Sequence, residues 1–309
     1  MLQKRVKVHE VGFRDGLQME PEAYPTDVKL DWIQGLLASG LDIIQIGSFV
    51  HPKLVPQMAD TDQLFEAARA AREGTEPLFS GLVLNEKGLE RGLACGVEMF
   101  CMGVSASETH SRKNTRMSVD EALDRVIPMA ETARGQGHPV QVSVQSAFGC
   151  GYEGEIPADQ VLRIVRRYLN AGLDEISLAD TAGHADPFRV RRLIQAVKAC
   201  SPTVHLTCHF HNTYGLALAN CYAALEEGVE SLETSLAGLG GCPFTAVAGG
   251  NACTEDLVHM LHRMGIREDI RLDLLIEAAR ALATRIGRDL PGSVYRAGPI
   301  TLTETGEPK

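Results

Sequence analysis

Two imidazoles stand one residue apart in "HFHNTYG", His209 to Gly215, just after a β-branched, apolar run from Thr203 to Cys208. In a strand, side chains two apart share a face, so His209 and His211 would converge on one point. On a helix the same spacing would splay them about 200° apart. The competing reading is two unrelated members of the ten histidines in the chain. Two imidazoles and a nearby carboxylate would make a three-point face for a divalent metal, leaving positions open for substrate.

Other residues able to do chemistry lie in short polar segments. "GFRDGLQME" sets Arg14 beside Asp15, the best third ligand, whose competing role is a loop or helix-capping aspartate. "SLADTAG" ends on Asp180, which could equally cap a helix beginning near Asp186. A glycine-rich stretch, "LAGLGGCPFTAVAGGN", holds Cys242 and ends at Asn251. The basic cluster "HSRKNTR", His110 to Arg116, reads either as a solvated loop or as an anion site.

What positions these residues is a recurring unit. "SGLDIIQI" at Ser39, "CGVEMFCM" at Cys95, "AGLDEISL" at Ala171 and "EGVESLET" at Glu227 each run glycine, Leu or Val, acid, then a strand-like segment. Each follows an amphipathic helical stretch, so the glycine fits the left-handed residue that ends a helix. The gaps between these glycines exceed one helix and one strand. Val6–Glu10, Leu78–Leu84, Gln141–Gln145 and Val204–Phe210 fill them, and the expected total is eight strands.

Alternating strands and helices in that number predict an α/β fold, a (β/α)8 TIM barrel with extra C-terminal helices. The expected single catalytic domain spans 1–309, with the barrel over about 6–264 and closing helices over about 265–290; Thr254–Gly265 and Leu272–Gly287 read as the last helices. A doubly wound open sheet is the runner-up, but no GxGxxG follows the first strand. The polar segments then fall at the C-terminal ends of the strands, where barrel enzymes build their sites.

Bulk properties narrow the partners. A net charge of −10 over 309 residues argues against nucleic acid or an anionic membrane surface. No apolar run reaches the ~18 residues of a membrane span. Eight cysteines without a CxxC argue against zinc ribbons and thioredoxin chemistry. A cytoplasmic location with reduced thiols is the expectation.

Taken together, "VHEVGFRDGLQME", "GSFVHPKLVPQMAD", "GVSASETHSRKN", "GYEGEIP", "EISLADTAG", "HFHNTYGLALAN" and "AGLGGCPFTAVAGGNACTEDLVHML" resemble, in order, the 3-hydroxy-3-methylglutaryl-CoA lyases. That family belongs to a superfamily of barrel metallolyases and Claisen-type synthases. The resemblance implies that Asp15, His209, His211 and Asn251 bind a divalent cation, magnesium or manganese, with zinc or cobalt as alternatives. It implies that Arg14 holds the thioester oxygen as charge develops there, that Cys242 transfers a proton, and that Asp180 lies beside the substrate hydroxyl. The "SRKN" loop, with Arg112, Lys113 and Asn114, would pass the CoA phosphates.

The implied reaction cleaves a 3-hydroxyacyl-CoA, 3-hydroxy-3-methylglutaryl-CoA or a close relative, to acetyl-CoA and a keto acid. The expected partners are that small acyl-CoA and a second copy of the chain, a homodimer. A condensing enzyme of the same superfamily is the alternative, and a binding module without activity a third reading. The sequence departs from the family at Gln45, where a glutamate is usual, at Met19 and at Asn212; Gln145 adds another carboxamide. Loss of the charge at position 45 predicts an altered site for the acyl part, with Gln45, Gln145 and Asn212 lining or backing one rim.

Overall fold

The computed structural model describes residues 5–241 and 250–300. Eight parallel strands close into a barrel in chain order: β1 (Lys7–Glu10), β2 (Ile43–Ser48), β3 (Leu78–Leu82), β4 (Met99–Ser105), β5 (Val140–Gln145), β6 (Glu175–Asp180), β7 (His205–Phe210) and β8 (Ser231–Thr234). β1 pairs with both β2 and β8, which removes every open edge. The open-sheet alternative is thereby excluded.

The four recurrent glycines behave as their spacing predicts. Gly40, Gly96, Gly172 and Gly228 all have φ between 71° and 83°. Gly96 shows why the residue is needed: it ends helix Glu86–Cys95 in the left-handed region, and a Cβ there would meet Arg69 Nη1 at 1.9 Å. Each such stop aims the chain into the next even-numbered strand.

Strand alternation separates two environments. Outward residues such as Phe79, Phe100, Val142, Val144, Leu206, Phe210 and Leu232 are buried against the helices. Inward residues are largely polar, and they meet across the lumen. His9 Nε2 lies 2.8 Å from Ser80 Oγ, Thr207 Oγ1 donates to Gln141 Oε1 at 3.4 Å, and Gln141 Nε2 donates to Glu233 Oε1. Barrel lumens are more often filled by branched aliphatic side chains. Here the polar filling is continuous with the C-terminal rim.

The closing helices are Thr254–Arg263 and Leu272–Ile286, the latter packed on helix Thr26–Leu36, with a further short helix at Val294–Ala297. The segment expected to be a loop around "SRKN" is instead an α-helix, Glu108–Thr115. Ser107 caps it by accepting from His110 N at 3.0 Å, a local device that overrides the helix's low apolar content. Among the described residues no helix is long and apolar enough to cross a membrane.

Candidate metal centre and its cavity

The chain leaves β1 through one π-helical turn, Gly12–Gly16, which projects Arg14 and Asp15 over the barrel mouth. Such turns are short, unusual and frequent at functional sites. Glu10 anchors this one. Its Oε1 accepts from Gly12 N at 2.7 Å and from Leu236 N at 2.9 Å, and its Oε2 accepts from Thr254 Oγ1 at 2.5 Å. A Cβ on Gly12 would lie 2.5 Å from Glu10 Oε1, so a side chain there cannot coexist with the anchor.

His209 closes the inward face of β7, and His211 follows two residues on. A β-bridge between His211 and Asn251 brings the amide in from 40 residues downstream, with Ala252 N donating to Phe210 O at 2.9 Å. Asp15 Oδ2 then stands 3.9 Å from His209 Nε2, 3.5 Å from His211 Nε2 and 3.0 Å from Asn251 Nδ2. The Asp15, His209 and His211 ligand atoms lie within 4.8 Å of one another. Asn251 Nδ2 also donates to Leu239 O at 3.0 Å, and its buried Oδ1 has no hydrogen-bond partner. Two imidazole nitrogens, a carboxylate and an unsatisfied amide oxygen suit a divalent cation.

The surrounding charges favour the ligating, ionised form of Asp15, whereas they draw His209 toward its protonated form. Burial pushes Asp15 up, but the Arg14 guanidinium and the two imidazoles outweigh it and hold the carboxyl well below its usual range. His209 Nδ1 lies 2.9 Å from Glu233 Oε2, which leaves Nε2 facing Asp15. Burial would raise Glu233 too, yet its bond to His209 and the nearby charges bring it down to about 2. Burial lowers His209, and Glu233 with Asp15 reverses this, for a net rise.

Beside the triad lies a cavity of about 330 Å³. Arg14, Asp15, Gln45, Gln145, His209 and Asn114 all line it, so six of the residues singled out by sequence share one space. Arg14 Nη1 pairs with Asp15 and its Nε donates to Gln45 Oε1. The other expectations fall elsewhere. Asp180 is buried, and its oxygens accept from His184 N at 2.8 Å and Ala185 N at 3.1 Å; Asp186, not Asp180, caps helix Pro187–Cys200. Arg112 pairs at 3.8 Å with Glu108 on the outside of its helix, and Lys113 sits 3.9 Å over the Tyr152 ring. Asn212 Oδ1 accepts from Ala217 N at 3.2 Å at the start of the next helix. Cys242 lies outside the described residues.

Sequence reasoning missed Glu233, Gln141 and His110. Glu233 had a signal: in a closed barrel β8 flanks β7, and the register sets His209 opposite Glu233. The cavity also holds Cys101, whose thiol burial pushes up to about 12, so it stays protonated.

An eight-stranded parallel barrel with an aspartate–histidine–histidine face at its C-terminal rim defines a TIM-barrel protein with a candidate divalent-cation centre. The profile of the HMGL-like family matches residues 5–282. Over 288 residues the chain is 38% identical to the hydroxymethylglutaryl-CoA lyase YngG of Bacillus subtilis, covering 93% of this chain and 95% of that one. It is equally 38% identical, over 287 residues and the same shares, to a 3-hydroxy-3-isohexenylglutaryl-CoA/hydroxymethylglutaryl-CoA lyase of Pseudomonas aeruginosa. The structure of an HMG-CoA lyase from Acinetobacter baumannii, in complex with coenzyme A and 3-methylmalate, superposes with a TM-score of 0.91, 39% identity and 97% of both chains covered. The chain belongs to the HMGL-like family, and it is a carbon–carbon lyase.

Proposed function

We propose that this lyase uses a divalent cation, magnesium or manganese, to cleave 3-hydroxy-3-methylglutaryl-CoA or a close relative to acetyl-CoA and a keto acid. One observation carries the reading: Asp15, His209, His211 and Asn251 converge, and Asp15 and His209 line the same cavity as Arg14. The names of the relatives agree with it. A bound cation supplies Lewis acidity, lowering the pKa of a hydroxyl and orienting the bond to be broken.

The chain's own residues supply the rest. Glu233 fixes the ring of His209, and Glu10 fixes the turn that presents Asp15. Arg14 cannot lose its charge and faces the position where an enolate oxygen gains it. Gln45 steers that guanidinium through its Nε. Asp180, whose oxygens accept from His184 N and Ala185 N, holds the loop after β6. Cys242 is read, on the family resemblance, as the proton donor to the carbanion carbon, a task suited to a thiol of ordinary pKa ~8.5. A cytoplasmic homodimer completes the reading.

A coupled assay for acetyl-CoA release tests it. Turnover should vanish with chelator and return with magnesium or manganese. Arg14→Gln should lower kcat by about 100-fold or more, on the scale of removing one oxyanion donor, with a smaller change in KM. A metal-loaded protein that cleaves no 3-hydroxyacyl-CoA overturns the proposal.

A further inference from the structure

The cavity has two unlike walls. On the β5 side it is polar, with Ser143, Gln145 and Asn114. On the β1–β3 side, beside Arg14, Asp15, Gln18 and Gln45, it carries five apolar residues, Met19, Val50, Val55, Leu82 and Leu84. Strand alternation accounts for the second wall. Ser80 points into the lumen at His9, so Leu82, two residues on, takes the same face nearer the rim, and Leu84 follows. Phe79, just before Ser80, and Val83, between Leu82 and Leu84, point outward and are fully buried. Met19 follows directly on the segment that carries Asp15.

All five wall residues are only half-buried, although the helices cover their outward neighbours completely. Their side chains offer nothing to hydrogen-bond a polar group. The two amides of a pantetheine arm would be left unpaired against such a wall, whereas the β5 side offers them partners. An aliphatic group suits it. In a 3-hydroxyacyl-CoA whose hydroxyl is held at Asp15, His209 and His211, the first carbons of the C3 substituents lie two bonds from that oxygen. They are therefore the parts of the substrate within reach of Met19 and Leu82.

We propose that this wall is a subsite for the C3 substituent, and that the lyase prefers 3-hydroxy-3-alkylglutaryl-CoA thioesters whose alkyl group is longer than methyl. The proposal rests on the lyase reading above and names the substrate class of that same site. One methylene in an apolar pocket is worth roughly tenfold or more in kcat/KM, so a four-carbon chain reaching the wall should stand out clearly from methyl.

The test is a series of 3-hydroxy-3-alkylglutaryl-CoA thioesters with methyl, n-butyl and branched six-carbon substituents, assayed on the metal-loaded wild type, Leu84→Phe and Leu82→Ala. We expect kcat/KM to rise at least roughly tenfold from methyl to butyl. Leu84→Phe should cost the butyl compound at least tenfold more than the methyl compound, and Leu82→Ala should move the preference toward the branched chain. A wild type that cleaves the methyl compound best overturns the subsite and leaves the lyase reading standing. A wild type that cleaves none overturns both. Equal losses across the series in Leu84→Phe would assign the wall to the shared CoA portion and overturn the subsite. If a variant does not fold, as read by its melting curve, the wild-type series alone decides.

Discussion

His209 illustrates how much of a ligand's behaviour is set by its neighbour. Its Nε2 faces Asp15 only because Nδ1 is held by Glu233, whose other oxygen is held in turn by Gln141. Removing the charge of such an outer partner typically costs 10–100-fold in metal affinity. Glu233→Gln should therefore weaken manganese binding by about that factor in calorimetric titration, while the circular dichroism stays native. Gln45 is the second instructive residue. As an amide it accepts from Arg14 Nε without adding charge, so among the described residues Asp15 is the one carboxylate at ion-pair distance from the guanidinium. Gln45→Glu would draw Arg14 toward a second carboxylate, and the ranking of thioesters by kcat/KM should change. An unchanged ranking would show that position 45 carries no specificity.

At the scale of elements, the turn after β1 depends on a buried carboxyl. Burial pushes Glu10 up to about 7, against the pull of its hydrogen bonds to Thr254, Leu236 N and Gly12 N. Because the folded pKa exceeds the unfolded one, near 4.5, the native state binds the extra proton between these values. Stability from this group is full below about 4.5 and is lost as pH rises toward 7. Glu255, also raised to about 7 by burial, adds to the same window. Glu10→Gln keeps the acceptor for Gly12 and Leu236, and its NH₂ can donate to Thr254 Oγ1. The fall in melting temperature between pH 4.5 and 7 should be shallower in that variant than in the wild type. An identical slope would mean that Glu10 does not titrate there.

The whole molecule divides labour between the two ends of the barrel. At the end opposite the cavity, Arg267 is buried and donates to Val6 O and Asp42 Oδ2, each at 2.6 Å, to Gly40 O at 3.0 Å and to Asp269. One side chain thus ties the start of β1, the approach to β2 and the segment before the last long helix. Removing one partner of a buried ion pair costs about 3–5 kcal/mol. Arg267→Ala should lose that much in urea denaturation with metal affinity unchanged. Arg267→Lys should recover little, since a single ammonium cannot replace the guanidinium fork. A loss of metal affinity in either folded variant would contradict this separation of stability from chemistry.

What the sequence determined by itself is what depends on neighbours along the chain. The two-residue spacing in β7, the glycine stops and the succession of eight strands are set within a few residues, and Gly40, Gly96, Gly172 and Gly228 adopt the conformation their pattern requires. The helix at Glu108–Thr115 escaped because one capping serine, rather than an apolar stripe, starts it. The tertiary structure alone decided which distant groups meet: Glu10 with Leu236, Asn251 with His211, Glu233 with His209, and Gln45 with Arg14. It also turned Asp180 toward the backbone of its own loop. Barrel closure and strand register fix those pairings, and both are sums over all eight strands that no local stretch contains.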